Sequence, residues 1–324
     1  MSEAEKKVVL ELKDVHTHFR VQGGILKAVN GVNLTVREGE TIGLVGESGC
    51  GKSTLGKTVL RLLRPASGQV LWEGRDIWSF NRHERKEYTR QVQMIFQDPY
   101  ACLDPLSVIG DTVAEGMDVH HMYATREERN REVLRLLADV GLNSSHAARF
   151  PHEFSGGQRQ RVGIARALSL KPRLIVCDEP ISALDVSIQA QVVNLLKRLQ
   201  REMGMAYIFI THDLSMVRQI SDRIAVMYLG NIVEIARSED IYLSTRHPYT
   251  RALLSAIPIA DPVVEKQRER VVLSGDVPSP VNLPAGCAFA GRCPQACERC
   301  RKEAPVLRSI GPGHEVACHL AEEQ

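Results

Sequence analysis

The 324-residue sequence lacks two features that would place it in a membrane or outside the cell. No run of about 18 apolar residues occurs, so no membrane-spanning helix is predicted. The start, Met1-Ser2-Glu3-Ala4-Glu5-Lys6-Lys7, also lacks the basic and then apolar order of a signal peptide. We therefore expect a cytosolic chain. In that compartment its eight cysteines would stay reduced, which favours metal, cluster or packing roles over disulfides.

A strong excess of charge is missing as well. The 41 basic and 39 acidic residues leave a net charge of +2, and no long basic run is present. The composition thus gives no reason to expect a nucleic-acid partner. The length favours roughly two domains, each large enough to bury a substantial core.

The most informative stretch is Gly46-Glu47-Ser48-Gly49-Cys50-Gly51-Lys52-Ser53, which follows the apolar run Thr41–Val45. This spacing is typical of a phosphate-binding loop, although a glycine-rich turn without a ligand is the alternative. The glycines let several backbone N–H groups converge on phosphate oxygens, and a helix starting near Lys52 would add the positive end of its dipole. Lys52 is expected to reach the terminal phosphates and Ser53 a magnesium ion.

The segments around this loop alternate between strand and helix patterns. Strands are predicted over Val8–Phe19, near Val32–Val36 and over Gln69–Trp72. The apolar spacing after the loop predicts a helix that continues until Pro65. Phe19 is either an ordinary core aromatic or a residue that stacks on a nucleotide base.

Downstream, a short buried strand is predicted over Val92–Phe96, followed by a turn that contains Gln97. Gln97 is either a routine turn residue or one whose amide meets magnesium or water. The charged, helix-patterned stretch Leu106–Arg149 indicates a helical insertion in an α/β domain, with one helix ending at Gly141.

Three further motifs follow the insertion. Ser155 is a good N-cap, and Gly156-Gly157 after it is either a simple turn or a second anion cradle. The buried strand Leu174–Glu179 ends in two acids, of which Asp178 can hold magnesium through water and Glu179 can orient or deprotonate a water molecule. A neighbouring strand, Ala206–Thr211, would deliver His212 to the edge where ligands bind parallel sheets.

Together these motifs resemble the ATP-binding subunit of ABC transporters over residues 8–255. The phosphate loop, Ser155-Gly156-Gly157-Gln158, Cys177-Asp178-Glu179-Pro180, Ser182-Ala183-Leu184-Asp185 and His212 occur in that family's order and approximate spacing. The resemblance implies an α/β fold: a P-loop ABC-type nucleotide-binding domain over 1–257, with a helical subdomain at about 99–168. A linker and small cysteine-rich module would occupy 258–324.

The resemblance also implies ATP and Mg²⁺ as cofactors and a role for single residues. Glu179 would be the general base, and His212 would contact the γ-phosphate. Gln97 would bind magnesium and take part in coupling. Lys52 completes this catalytic set, while Ser53, Gln97 and Asp178 would serve magnesium. The implied nucleotide-binding residues, including Phe19 on the adenine ring, are Phe19, Gly46, Ser48, Gly49, Cys50, Gly51, Lys52, Ser53, Thr54, Ser155, Gly156, Gly157, Gln158 and Asp185.

In this family the nucleotide site is shared between two ATPase domains, so Ser155 and Gly157 would touch ATP held by a partner. The implied partners are a second, related ABC ATPase subunit, two transmembrane permease subunits and, indirectly, an extracytoplasmic solute-binding protein. The chain would then lie peripherally on the cytoplasmic face of the membrane.

The C-terminal part narrows the resemblance. His247-Pro248-Tyr249-Thr250-Arg251-Ala252-Leu253-Leu254 and the cysteine-rich tail look like the ATPases of dipeptide and oligopeptide importers, a branch that includes nickel importers. The charged run Glu265–Arg270 and the prolines 278, 280 and 284 predict a linker before this tail. Nucleotide binding is therefore expected not to depend on the tail.

Five cysteines crowd into the tail: Cys287, Cys293, Cys297, Cys300 and Cys318. The resemblance implies a four-iron four-sulfur cluster on Cys287, Cys293, Cys300 and Cys318, with Cys297 outside the ligand set. Zinc held through Cys297 and Cys300 is a rival, scattered buried thiols are another, and a redox switch is a third. Cys50 and Cys177 are predicted to be packing residues.

The predicted function is ATP hydrolysis that drives import of short peptides through separate membrane subunits. Import of nickel or another small solute is an alternative within the class. A soluble ABC ATPase acting on nucleic acid or ribosomes is the alternative from another class, disfavoured because the chain carries one ATPase domain and no basic tract.

Overall fold

The structure, a computed structural model, describes residues 6–258, 278–281, 283 and 285–321, so the predicted linker run Glu265–Arg270 and Pro284 lie outside it. The chain divides into two compact units. Unit 1 contains Arg37–Glu40 and Ser79–Ile210 together with the start of the chain, and unit 2 contains Val8–Val36, Thr41–Trp78 and the described residues from Thr211 onward.

The helices and strands follow one another as the sequence predicts in outline. In chain order they are β1 (Val8–Val21), β2 (Gly24–Arg37), β3 (Thr41–Val45), α1 (Lys52–Val59), β4 (Ser67–Trp72), β5 (Arg75–Asp76), α2 (Arg82–Gln91), β6 (Val92–Ile95), α3 (Ile109–Val119), α4 (Arg126–Asp139), α5 (Gly156–Leu168), β7 (Leu174–Asp178), α6 (Val186–Met203), β8 (Ala206–Thr211), α7 (Leu214–Ile220), β9 (Arg223–Tyr228), β10 (Asn231–Arg237), α8 (Ser238–Ser244), α9 (Pro248–Ser255), α10 (Glu298–Lys302), β11 (Arg308–Gly311) and β12 (His314–Val316).

Unit 2 is built on two sheets. Strands β2, β1, β4 and β5 form one sheet in that order. In the other, β3 pairs parallel with β9, and β10, β12 and β11 extend it through antiparallel pairs. All five residues of β3 are buried, which is the burial expected of a parallel strand covered on both faces.

Unit 1 combines parallel strands with a helical region. Strands β6, β7 and β8 pair in parallel, and β7 and β8 are buried throughout. Helices α3, α4 and α5 pack on one another. Arg129 on α4 ties α3 to α4, since its guanidinium lies 2.9 Å from the carboxylates of both Asp111 and Asp118.

Helix α1 ends earlier than predicted. The apolar spacing predicted a helix up to Pro65, but α1 stops at Val59, and Arg61 adopts a left-handed φ of 62°. The Arg61 Nε donates to the Ile77 carbonyl at 3.0 Å, and its guanidinium lies 4.7 Å from the centre of the Trp78 ring. A tertiary contact therefore turns the chain where the local pattern would have continued the helix.

The tail contributes strands to the sheet that contains β3. Strand β12 pairs with β10 through Glu234 opposite Val316 and Ile235 opposite Glu315. The tail and the phosphate loop both belong to unit 2, and the tail strands lie in the same sheet as β3, which leads into the loop. No helix within the described ranges is long and apolar enough to cross a lipid bilayer.

Candidate functional site

The phosphate loop joins β3 to α1, as predicted. Its last glycine, Gly51, is the N-cap of α1 with a left-handed φ of 109°, so no side chain caps this helix. A Cβ at Gly51 would overlap the carbonyl oxygen of Ala28, and one at Gly46 would overlap that of Met227. Glycine is therefore required at both ends of the loop by close backbone contacts.

Lys52 is buried against the inner face of this loop. Its side chain is 5% exposed, and Nζ donates to the carbonyl oxygens of Gly46 at 2.8 Å and Glu47 at 3.0 Å. The loop thus holds an ammonium group beside the amino end of α1, an arrangement suited to bind an anion. Ser53 and Thr54 lie half-buried in the first turn of α1, directly after Lys52 in the chain.

Cys50 packs within the loop. It is 4% exposed, and burial raises the pKa of its thiol, an effect that Lys52 partly offsets. Cys177, in β7, is fully buried and its thiol pKa is also raised by burial. Both thiols are therefore held neutral, which agrees with packing roles.

The two acids after β7 lie in unit 1 and differ in their surroundings. Asp178 is 5% exposed at the strand end, whereas Glu179 is half-buried. Glu179 has a φ of 44°, an uncommon conformation for a residue other than glycine, and its backbone N–H donates to the Ile210 carbonyl at 3.0 Å. This backbone is fixed at the cost of local strain.

Gln97 approaches Glu179 in space. The Gln97 Nε2 donates to Glu179 Oε2 at 2.9 Å across 82 residues of sequence. Gln97 itself is exposed. The structure therefore brings together two of the residues predicted to act on magnesium and water, with the amide orienting the carboxylate.

The predicted anion cradle of unit 1 has the form of a helix start. Ser155 caps α5, with its backbone N–H donating to Gln158 Oε1 at 3.0 Å, which confirms the predicted N-cap. Ser155 and Gly156 are exposed, while a Cβ at Gly157 would meet Ile188 Cγ2 at 2.7 Å. Glycine at 157 is therefore needed for packing against α6.

The other predicted nucleotide contacts lie at strand ends and helix starts. His212 is exposed and follows β8 directly, and Asp185 is exposed at the start of α6. Phe19 is half-buried on β1 in unit 2.

The tail cysteines do not form a metal site as arranged. Among the described residues, no group of three or more His, Cys, Asp or Glu side chains is placed to hold a metal ion. Cys297 and Cys300 are in contact, with their sulfur atoms 3.4 Å apart. The iron–sulfur prediction, and with it the ligand set Cys287, Cys293, Cys300 and Cys318, is therefore not supported by the geometry.

The pKa values of the tail thiols are shifted in different directions. Burial raises the pKa of Cys287 to about 11 and also raises the pKa of Cys293 and Cys300. The pKa of Cys297 is lowered, chiefly by a hydrogen bond from the Cys300 backbone. Metal binding would require these thiols to lose their protons.

Two residues that contact the phosphate loop were not predicted. Tyr249 and Arg292 both bind Glu47, from positions 202 and 245 residues away. Tyr249 lies within a motif that the sequence had singled out without a role for this side chain. Arg292 lies between tail cysteines, one among 41 basic residues, so no local signal distinguishes it.

Known proteins share both the loop and the C-terminal part of this chain. A model of the family described as "ABC transporter" matches residues 29–182, and one described as "Oligopeptide/dipeptide transporter, C-terminal region" matches residues 233–300. The oligopeptide transport ATP-binding protein AppF of Bacillus subtilis is 50% identical over 328 residues, which cover 99% of each chain. The oligopeptide transport ATP-binding protein OppF of Escherichia coli is 49% identical over 322 residues, 97% of this chain and 96% of the relative.

A solved structure gives the same fold. The ATP-binding cassette MJ0796, dimeric in a post-hydrolysis state with ADP and Pi bound, superposes with a TM-score of 0.65 at 31% identity. The match covers 71% of this chain and 98% of that one.

Proposed function

Since this chain belongs to the ABC transporter family, we propose that it is the ATP-hydrolysing subunit of an importer that drives uptake of short peptides through separate transmembrane subunits. The observation that carries the peptide assignment is the match at residues 233–300 to the C-terminal region of oligopeptide and dipeptide transporters. The loop around Lys52 supplies the phosphate-binding chemistry. No observation favours nickel import or action on nucleic acid or ribosomes.

The experiment is reconstitution of transport. The chain would be purified with its native membrane partners, placed in liposomes and assayed for uptake of a labelled tripeptide and, in parallel, of Ni²⁺. ATP-dependent accumulation of the peptide is expected. Accumulation of Ni²⁺ alone would reassign the solute, and uptake of neither with normal ATP turnover would contradict both.

The catalytic roles follow from the chemistry of each group. Glu179 acts as general base toward the attacking water, held by the Gln97 amide. Ser53 would serve Mg²⁺ beside the terminal phosphates that Lys52 would neutralise, Asp178 and Gln97 are likewise proposed as Mg²⁺ residues, and His212 would contact the γ-phosphate. Bound Mg²⁺ supplies charge stabilisation for the leaving group.

The remaining nucleotide contacts are assigned on the same basis. Phe19 stacks on the adenine ring, and backbone N–H groups of the phosphate loop bind phosphate oxygens. Supporting these roles are the half-buried position of Phe19 and the glycine-dependent backbone of the loop. The chain remains divided, in this proposal, into a nucleotide-binding domain over 1–257 and a C-terminal region over 258–324.

We further propose that ATP is bound between two ATPase subunits on the cytoplasmic face of the membrane. The helix start at Ser155, Gly156, Gly157 and Gln158, of which the first two are exposed, would contact the nucleotide of a related partner subunit together with the exposed Asp185. The known dimer of MJ0796 with ADP and Pi supports such an assembly. Two permease subunits and a solute-binding protein would complete the transporter.

Replacing Gly157 by Asp is expected to abolish most ATP hydrolysis at the partner's phosphate loop while this chain still binds ATP. The carboxylate would stand where the partner's γ-phosphate lies, and like charges at short range repel strongly. The measurement is ATP turnover of the assembled complex together with ATP affinity of the isolated chain.

Gly157→Ala separates charge from crowding, because any Cβ at this position meets Ile188 Cγ2 at 2.7 Å. Gly163→Asp is the matched control on the same helix, where a Cβ would have open space. Equal loss in Gly157→Ala and Gly157→Asp, or equal turnover by monomer and complex, would contradict the shared site.

The cysteine-rich tail is proposed to acquire a four-iron four-sulfur cluster when the chain is made and purified without oxygen. What supports this is the closeness of Cys287, Cys293, Cys300 and Cys318 along the sequence, since four thiolates suffice for one cluster. Because the thiols as arranged do not form such a site, binding would require them to rearrange and lose protons.

Serine at any of these four positions should remove the visible absorbance and loosen the tail, whereas Cys297→Ser should leave both largely unchanged. Iron, sulfide and zinc analysis of anaerobic protein provides the check. Stoichiometric zinc without iron would show that the tail binds zinc and not an iron–sulfur cluster. Loss of metal in Cys297→Ser would overturn the ligand set. Dependence of ATPase activity on redox potential would indicate a switch.

A further inference from the structure

Two side chains from the C-terminal half of unit 2 meet at Glu47, the second residue of the phosphate loop. Arg292 donates from Nη1 to Glu47 Oε2 at 2.8 Å and from Nη2 to Oε1 at 3.0 Å. The hydroxyl oxygen of Tyr249 accepts a hydrogen bond from the Glu47 backbone N–H at 2.9 Å. The loop is therefore held through both the backbone and the side chain of a single residue.

This contact is largely shielded from water. The side chain of Arg292 is 8% exposed and that of Glu47 25% exposed, and the bond is the two-pronged pairing of guanidinium with carboxylate. Its geometry differs from that of the exposed ion pairs on the same tail, such as Arg299 with Glu303, where the two side chains are 64% and 60% exposed. Such an exposed ion pair contributes little to the free energy of folding.

An aromatic cluster fixes the approach of Tyr249 and the tail. Tyr228, Tyr249 and Phe289 lie with ring centres 4.7 to 5.4 Å apart, and all three are fully buried or nearly so. The Arg292 guanidinium carbon lies 5.9 Å from the centre of the Tyr228 ring. The rings thus hold both residues that reach Glu47 in one rigid patch.

Backbone hydrogen bonds in the cysteine-rich tail position Arg292. The backbone N–H of Cys287 donates to the Cys300 carbonyl at 2.7 Å, and that of Arg292 donates to the Phe289 carbonyl at 3.0 Å. A buried contact joins the end of the tail to β10, with His314 Nε2 2.8 Å from Glu234 Oε1. Arg292 therefore belongs to a folded segment that is attached to the sheet of β3. The backbone of this segment positions the Arg292 side chain near Glu47.

The charge balance of the loop gives this contact a consequence for binding. Between Gly46 and Thr54 the sequence contains one acid, Glu47, and one base, Lys52. An unpaired carboxylate there would repel the phosphates that the loop is built to hold, and within about 10 Å salt screens this repulsion only in part. Arg292 neutralises that carboxylate and keeps it turned toward the tail.

We propose that Arg292 and Tyr249 are positioning residues of the nucleotide site, which pair with Glu47 so that the C-terminal tail sets the shape and the charge of the phosphate loop. This inference rests on the proposed function of the loop in binding ATP. It makes the tail part of the nucleotide site instead of a module independent of it.

Replacing Arg292 by Met is expected to raise the Kd for ATP about tenfold, because the Glu47 carboxylate is left unpaired beside the phosphates. Titration calorimetry of the full-length chain with ATP and Mg²⁺ measures this effect. In the assembled complex, KM for ATP should rise while kcat changes little. The deficit should shrink as ionic strength rises, which a loss of tail structure alone would not produce.

Adding Glu47→Gln to Arg292→Met is expected to restore most of the lost affinity, since the repelling charge is then gone. Arg292→Lys keeps the charge, and its Kd should stay within about threefold of wild type. Tyr249→Phe removes only the acceptor of the Glu47 N–H and should weaken ATP binding by about threefold. Arg299→Met, which breaks a tail ion pair away from the loop, is the matched control and should bind ATP normally.

Wild-type affinity in Arg292→Met would overturn the inference. So would a double variant as weak as Arg292→Met, because the effect would then not come from the Glu47 charge. If Arg292→Met does not fold, as judged by its thermal midpoint, Tyr249→Phe decides, and normal affinity in that variant would overturn it. A wild-type chain that binds no ATP would instead overturn the proposed function.

Discussion

Replacing Glu179 by Gln is expected to lower the kcat for ATP hydrolysis by about a hundredfold or more while ATP affinity stays near that of the wild-type chain. Glutamine keeps the size of the side chain and still offers an oxygen to the Gln97 Nε2, which donates to Glu179 at 2.9 Å. It removes only the ability to take a proton from water. The assay is steady-state turnover of the purified complex alongside direct ATP titration.

Glu202→Gln is the matched control for this variant. Glu202 is an exposed acid of unit 1, paired with Arg198 on α6 at 3.2 Å, and its loss should leave turnover unchanged. Near-normal turnover in Glu179→Gln would exclude Glu179 as general base. The left-handed backbone of Glu179, with φ at 44°, also makes Glu179→Gly informative: relief of strain should not restore activity that depends on the carboxylate.

The second large effect is expected from Lys52→Met, which should weaken ATP binding by about a hundredfold. The Lys52 ammonium is buried within the loop and bonds the carbonyls of Gly46 and Glu47. A phosphate bound there would gain a charge-assisted hydrogen bond from the same group, and methionine keeps the length of the side chain without the charge. Calorimetric titration with ATP provides the affinity.

Lys57→Met is the control for Lys52→Met, because Lys57 is an exposed base in the last turn of the same helix. Its ATP affinity should match that of the wild-type chain. The thermal midpoints of both variants would show whether the loop still folds. Unchanged affinity in a folded Lys52→Met variant would contradict the role given to the loop.

The secondary structure around the proposed nucleotide-binding residues was largely predictable because its signals are local. The start of α1 at Lys52, the buried strand β3 and the Ser155 cap of α5 were all confirmed. Each depends on residues within a few positions of one another, where apolar periodicity and capping hydrogen bonds determine the backbone. The end of α1 was not predictable, since Arg61 turns away to contacts with Ile77 and Trp78.

The cysteine-rich tail shows the opposite case. The family resemblance implied a metal-held module beyond a linker, but the described thiols are not arranged as a metal site. Instead β12 joins the sheet of β3, and Phe289 packs between Tyr228 and Tyr249. The number of cysteines indicates what a segment could bind, but it does not indicate which residues the segment packs against.

By itself, the sequence predicted the glycine loop between β3 and α1 and the acids at the end of β7, because glycine spacing and strand pattern act over short distances along the chain. Only the tertiary structure showed that Glu47 is hydrogen-bonded to Tyr249 and Arg292, which lie 202 and 245 positions away in the sequence. Such long-range pairs produce no periodic pattern in the sequence, since any of the 41 basic residues could supply the charge. They exist because folding brings buried groups together and each buried charge requires a partner.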